Sequence, residues 1–299
     1  MLAASCALSQ LRPQPDPGQF NPDGSLLDKT ELNQQRVPKV SREFLALNEA
    51  VRGCAFEKSH SQFGEEILLL PYLHMITGGR SGTYVEIGAL DGIKYANTLA
   101  LEHCLDWHGL LIEGNPTNCE ALGTHMAYRP NSWRECSAVC DEENGVVNFT
   151  KAGSEFAGMP ATMDDSFKDE WSAYINYNDT VQVSCTRMGN LMARGGRDMQ
   201  EVDFLSLDVE GAEEFVLKAS PVSSFKMILV ETGAGEGKGG RDGDDVDDKR
   251  SRILGMLFEA GFIEPTFGTL ATDNRIENNE VFIRRDVDTQ LAAQLSGTR

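Results

Sequence analysis

The sequence has no unbroken apolar run of the ~18 residues that a membrane-spanning helix needs, so no membrane span is expected in this chain. It is also short of positive charge: 27 Lys and Arg face 46 Asp and Glu, a formal net charge of −19. A field of that sign repels polyphosphate, which argues against a nucleic-acid partner. Its five histidines are scattered, and its seven cysteines form no CxxC pair, so no zinc centre is expected. Cys136 and Cys140 fall four apart in one expected strand, which points them to one face rather than around a metal. The cysteines are compatible with disulfides in an oxidising compartment or with buried reduced thiols, and the pattern does not choose between them. Two sequons, Asn148-Phe149-Thr150 and Asn178-Asp179-Thr180, point weakly to the lumen of the secretory pathway or another organelle. The cytoplasm is the alternative, and the compartment stays open, as does the oligomeric state.

What is present is an alternation of short apolar runs with helical patterns. Residues 1–56 are expected to form a flexible arm or the remnant of a targeting segment, with Pro13, Pro15, Pro17 and Pro22 close together. Residues 57–288 form the folded domain and 289–299 a C-terminal tail. Strands are expected at Thr83 to Ala89, Gly109 to Glu113, Arg134 to Cys140, Val146 to Thr150, Val181 to Cys185, Val202 to Val209 and Lys226 to Glu231. A final pair follows at Phe262 to Phe267 and Val281 to Arg284. Helices are expected at Ser61 to Ile76, Tyr95 to Asp106, Pro116 to Met126, Ala212 to Ala219 and Lys249 to Ala260. Such alternation predicts an α/β fold around a largely parallel sheet. Residues 233–250, rich in Gly and Asp, read as a loop at the carboxyl edge of that sheet, a lid or a plain insertion.

Open α/β sheets bind ligands at the carboxyl ends of their strands, where the strand order reverses. Three expected strand ends carry polar groups there. The first is Glu86-Ile87-Gly88-Ala89-Leu90-Asp91-Gly92, where Gly88 permits a sharp turn close to a ligand. Glu86 is placed to accept from a ligand ammonium or from backbone amides of the turn. The second ends in Glu113, suited to taking both hydroxyls of a ribose. The third is Asp203-Phe204-Leu205-Ser206-Leu207-Asp208-Val209-Glu210-Gly211-Ala212-Glu213. The first turn lacks the GxGxxG spacing that wraps a pyrophosphate, so these residues favour S-adenosylmethionine, which has no phosphate, over a dinucleotide.

Ser61-Gln62-Phe63-Gly64-Glu65-Glu66, Val85 to Gly92, Asn97-Thr98, Gly109 to Pro116, Asp203 to Glu213 and Asn279-Glu280-Val281-Phe282 together resemble, in order, the motifs of the FkbM-type methyltransferases. With its extra cysteines the chain resembles the algal and other eukaryotic branch more than short bacterial members. The resemblance implies a Rossmann-like, seven-stranded, mostly parallel sheet with helices on both faces, the class I methyltransferase architecture. It also implies O-methylation of a hydroxyl on a sugar, glycolipid or other small metabolite, with S-adenosylmethionine as cofactor. By motif, Glu86, Gly88, Asp91, Gly92 and Glu113 would hold the cofactor, and Ser137 and Ala138 would flank its adenine. Gly114, where many relatives carry a larger residue, would loosen the ribose contact.

For catalysis the candidates are Asp208 and Glu210, expected on one face of a strand end as base and orienter. The pair is also compatible with a divalent metal, which is not assigned. Gln62 and Glu65 are candidates for the methionine or acceptor end. Phe156, Phe167, Trp171, Tyr174 and Tyr177, within 152–179, are expected either to shape the acceptor site or to form a small core of their own. Two other readings stand beside the enzyme: a non-catalytic FkbM-like binding or trafficking module, and an NAD-dependent oxidoreductase.

Overall fold

The computed structural model describes residues 41–194, 199–232 and 244–297. The proline-rich part of the expected arm, Cys6 and most of the Gly/Asp loop lie outside these residues. In chain order the strands are β1 (Thr83–Ile87), β2 (His108–Glu113), β3 (Ser132–Cys136), β4 (Ala138–Val139), β5 (Gly145–Thr150), β6 (Thr180–Thr186), β7 (Val202–Leu207), β8 (Phe225–Glu231), β9 (Phe262–Ile263), β10 (Arg275–Ile276) and β11 (Asn279–Arg284). The helices are α1 (Arg42–Leu45), α2 (Glu49–Lys58), α3 (Glu65–Ile76), α4 (Leu99–Leu105), α5 (Pro116–His125), α6 (Asp165–Trp171), α7 (Met188–Arg194), α8 (Glu213–Lys218), α9 (Asp244–Glu259) and α10 (Arg285–Ser296). Among the described residues no helix is long and apolar enough to cross a membrane.

The main sheet runs β10-β11-β8-β7-β1-β2-β3, with β9 paired to β11 as an eighth strand. From β3 through β2, β1 and β7 to β8 every pairing is parallel, and β11 enters antiparallel to β8. Alternate residues feed two cores, as the pleat requires. Tyr84, Phe204, Met227 and Val281 join Leu70 of α3, Leu101 of α4 and Leu291 of α10. Val85, Leu205, Ile228 and Phe282 join Leu191 of α7, Val216 of α8 and Ile253 of α9. The expected Rossmann-like sheet covered on both faces is therefore present. Because β2 lies on one side of β1 and β7 on the other, the strand order reverses at β1, and the crevice opens there.

Several expected boundaries move, each for a local reason. The run Arg134 to Cys140 is not one strand. Ser137 N donates to Glu113 O at 3.1 Å, ending the pairing with β2, and Ser137 Oγ donates to Ser184 O at 3.1 Å. From there β4 pairs with β6 in a separate three-stranded sheet, β4-β6-β5. The helix expected from Ser61 begins at Glu65, because Glu66 accepts from the His60 and Ser61 amides and Glu65 from the Phe63 amide. The helix expected from Tyr95 begins at Leu99, since Glu86 holds the Asn97 amide and the Thr98 hydroxyl out of it.

Helices α1 and α2 fall within the span expected as an arm, and α10 runs into the span expected as a tail. Ser41 caps α1 by accepting from Phe44 N at 3.1 Å, and Phe44 is fully buried. Asn48 caps α2, whose Ala55 is buried. The segment expected as a tail from residue 289 belongs to α10, which buries Val287 and Leu291.

The cysteines pair as Cys54–Cys104, Cys119–Cys136 and Cys140–Cys185. The first ties α2 to α4, the second α5 to β3, and the third the end of β4 to β6. Cys136 and Cys140, expected on one face of one strand, thus serve two different sheets.

A buried polar centre joins β1 to the segments that follow it. Arg129, with no exposed surface, donates to Glu102 Oε2 at 2.7 Å, Thr98 Oγ1 at 2.6 Å, Tyr84 Oη at 2.9 Å and the Gly92 carbonyl at 2.7 Å. Its guanidinium also lies 3.8 Å from Glu86. Burial disfavours a charge on Glu102, but Arg129 and the Ser132 hydroxyl outweigh it and lower its pKa.

Two outcomes follow from this fold. Arg129→Met leaves Glu102 and Glu86 buried without their cation and is expected to lower stability by about 3–5 kcal/mol; urea unfolding that shows under about 1 kcal/mol would contradict the account. With six of seven cysteines paired, thiol titration of denatured, unreduced protein should find a single reactive thiol, Cys6; finding seven would mean the pairs do not form.

Candidate active site

At the reversal point lies a cavity of about 350 Å³. Its floor is the turn after β1. Gly88 has φ +82°, and a Cβ there would sit 1.7 Å from the Asp208 carbonyl oxygen, so only glycine lets the ends of β1 and β7 approach this closely. The Gly88 and Ala89 amides donate to the Ile112 carbonyl, and the Asp208 amide donates to the Ile87 carbonyl. The three strand ends marked by the sequence thus meet at one place.

The expected cofactor residues divide into two groups. Glu86, Gly88, Glu113, Ser137 and Ala138 all line the cavity. Asp91 and Gly92 are not among the residues that line it. The Asp91 carboxylate is turned onto its own loop, accepting from Ile93 N at 2.9 Å and Lys94 N at 2.8 Å, and the Gly92 carbonyl faces Arg129. Glu86 reaches past this turn to the chain that enters α4. Its Oε1 accepts from Asn97 N at 2.7 Å and its Oε2 from the Thr98 hydroxyl at 2.5 Å. Burial raises its pKa despite Arg129.

Glu113 ends β2 with Oε2 accepting from Leu90 N at 2.8 Å and Oε1 from Asn115 N at 2.7 Å. These two amides fix its orientation, while burial pushes its pKa up to about 7. Beside it, the Phe149 ring lies against Gly114, where a Cβ would come within 2.4 Å of the ring. Gly114 therefore admits an aromatic wall from β5 rather than loosening the site. Sequence reasoning missed Phe149 because it belongs to the second sheet, 35 residues after Gly114.

Asp208 and Glu210 both line the cavity, but not as neighbours on one strand face. β7 ends at Leu207, and Glu210 stands in a left-handed turn at φ +53°. The partners of Asp208 are Glu213 and Glu231, with a carboxylate oxygen of each within 4.8 Å of the others. Loss of water, then the charges of Glu231, Glu213 and Glu65, hold the Asp208 carboxyl well above the ordinary carboxylate range. Glu65 itself is pushed up to about 7 by burial and by Glu66. Lys249 of α9 brings the compensating cation, 2.5 Å from Glu213 Oε2. Glu213 Oε1 accepts from the Val209 and Gly211 amides and holds the turn. The Asp208, Glu213 and Glu231 spacing also suits one divalent cation. Glu231 and Lys249 were not singled out from the sequence; Glu231 ends β8 and Lys249 lies inside α9, and only the tertiary fold brings them to Asp208 and Glu213.

The outer wall comes from the segment 152–179. Phe156 and Trp171 stack with centroids 3.8 Å apart, and both line the cavity. Behind them Met163, Phe167, Ile175 and Tyr177 pack into a separate core, so this segment has its own core and also faces the site. Burial and then Glu210 push Tyr177 up to about 12. Gln62 also lines the cavity.

Comparison with known proteins sets this geometry in a family. No curated protein matches the sequence. Among solved structures, cofactor-bound Rv0187 from MTB aligns with a TM-score of 0.41 at 12% identity, over 86% of this chain and 96% of that one. An O-methyltransferase from Bacillus cereus in complex with SAH aligns with a TM-score of 0.38 at 13% identity, over 85% and 94%. Methyltransferase FkbM from Methylobacillus flagellatus KT aligns with a TM-score of 0.39 at 9% identity, over 78% of this chain but 58% of that protein. The model of the methyltransferase FkbM domain matches residues 86–263, more than half of the sequence, from the Glu86 strand end through the acid cluster to β9, and the chain belongs to that family.

Proposed function

We propose that this methyltransferase uses S-adenosylmethionine and methylates a hydroxyl group of a small acceptor, with a sugar or glycolipid as the favoured class. The observation that carries the cofactor reading is Glu113: a buried carboxylate at the end of β2, orientated by two backbone amides and lining the cavity. Its remaining lone pairs suit a vicinal diol, and the neighbouring Ser137, Ala138 and Phe149 suit a flat heterocycle. When bound, the cofactor supplies a methyl group activated by a sulfonium. The chain's residues then have separate tasks. Glu113 holds the ribose hydroxyls, and the Gly88 turn allows close approach. Asp208, kept at raised proton affinity by Glu231 and Glu213, accepts the proton of the acceptor hydroxyl. The stacked Phe156 and Trp171 offer an apolar face to a sugar ring. The paired cysteines favour an oxidising compartment over the cytoplasm.

Calorimetry with S-adenosylhomocysteine tests the cofactor. Binding in the micromolar range is expected, and NAD binding in its place would overturn the reading. The affinity should also depend on pH with a defined sign. Ribose hydroxyls donate to ionised Glu113, which in the free protein takes up a proton as pH falls through about 7. Affinity is therefore expected to be near its maximum at pH 8 and about tenfold weaker at pH 6. Glu113→Gln should flatten that profile, and a pH-independent wild type would remove Glu113 from the ribose. For catalysis, Asp208→Asn should lower turnover by about a hundredfold or more while leaving the S-adenosylhomocysteine affinity within about threefold. Turnover that survives the change would assign the base elsewhere.

A further inference from the structure

Resting on the cofactor reading above, we propose that Asn97 Oδ1 is the acceptor that selects the ammonium group of the cofactor's methionine end. Asn97 lines the cavity, is 6% exposed, and its Oδ1 is buried with no protein partner. The rest of the residue is fixed. Its backbone amide donates to Glu86 Oε1 at 2.7 Å, and its Nδ2 donates to Ser206 Oγ at 3.0 Å on β7. With the amide group anchored through its nitrogen, the oxygen is the end left to a ligand.

A buried acceptor without a partner is destabilising on its own, and its natural complement is a ligand carrying N–H donors. The surroundings favour a cationic donor over a neutral one, because the carboxylates of Glu86 and Asp208 line the same cavity. Glu86 does not serve as the direct acceptor in this arrangement. Its oxygens are turned to Asn97 N and the Thr98 hydroxyl, and, unlike Glu113, it has a guanidinium, that of Arg129, to take up its charge. Asn97 therefore stands between the buried acid and the ligand: Glu86 positions the residue, and Asn97 presents the oxygen. The same anchoring explains why the chain from 88 to 98 loops before α4 begins, since an earlier helix start would withdraw the Asn97 amide from Glu86.

The test compares binding of two probes by calorimetry: S-adenosylhomocysteine, and its analogue in which the α-amino group is replaced by hydrogen. Wild type is expected to prefer the first by about tenfold or more, the range of a charge-assisted hydrogen bond. Asn97→Ala should bind the two probes equally, with its affinity for the desamino analogue within about threefold of wild type. Asn97→Asp keeps the shape, adds a negative charge beside the ammonium, and should widen the preference, which decides the matter if Asn97→Ala fails to fold. A preference that survives in Asn97→Ala, or shrinks in Asn97→Asp, would overturn the assignment. So would a wild type that binds both probes equally, and in that case the cofactor reading stands. A wild type that binds neither probe would overturn the cofactor reading itself and this assignment with it.

Discussion

The buried guanidinium of Arg129 is the constraint on which the site depends. A charge without exposed surface is tolerable only when its donors are used and an opposite charge lies near. Here Glu102 supplies the close carboxylate, Glu86 a second at 3.8 Å, and Tyr84, Thr98 and the Gly92 carbonyl take further donors. Those partners come from β1, the loop after it and α4, so one side chain fixes where the first strand ends and how the chain leaves it. Glu86 then holds Asn97 and Thr98, and Asn97 reaches across to Ser206 on β7. The cavity wall is the outer surface of this network.

A second constraint acts at the neighbouring strand ends and opposes the first in sign. Near Arg129 one buried guanidinium serves two buried carboxylates. At Asp208, Glu213, Glu231 and Glu65 carboxyl groups crowd together, and Lys249 pairs with one of them. Crowding of this kind raises proton affinity and lowers stability, a local strain that proteins keep where chemistry requires it. Loss of water and then the neighbouring acids raise the Asp208 carboxyl, the direction that the proposed base calls for. The same crevice thus has a wall braced by a buried cation on the β1 side and one of crowded acids on the β7 and β8 side.

Much of this was legible in the sequence, for a physical reason. β1, β2, β7 and β8 are buried on both faces, so their apolar runs stand out, and each ends in an acid or glycine where the main chain must turn. Glu113, Gly88 and Asp208 were readable on that basis. Hidden features depend on contacts between distant segments. β4 is two residues long, and its transfer to the second sheet is decided by Ser137 bonding to Ser184, which no local pattern announces. α2 has a polar sequence with Gly53 inside it and is held by caps and by Cys54–Cys104 rather than by an apolar stripe. Arg129 looks like any surface arginine until Glu102 and Tyr84 are brought beside it. The pairing of Asp208 with Glu210 failed because it assumed strand alternation beyond the point where β7 ends.

The second sheet and the aromatic segment beyond it show how one scaffold acquires a closed site. A sheet that ended at β3 would leave this side of the cavity open to water; instead the break at Ser137 carries the chain outward, and β5 returns Phe149 against Gly114. The contact requires glycine on one partner and an aromatic on the other, so a larger residue at 114 would exclude the ring rather than improve the grip of Glu113. Past β5, Thr150 N donates to the Gly158 carbonyl and Gly158 N to the Thr150 hydroxyl, folding the segment back so that Phe156 and Trp171 face the cavity while Phe167 and Tyr177 pack behind them. That small core is distinct from the two beneath the main sheet, yet it rests on the turn after β7, where a Cβ on Gly211 would come within 2.9 Å of the Thr162 carbonyl oxygen. The stacked pair thus faces the cavity from a core of its own that is tied to the turn after β7, while the Arg129 network braces the β1 side.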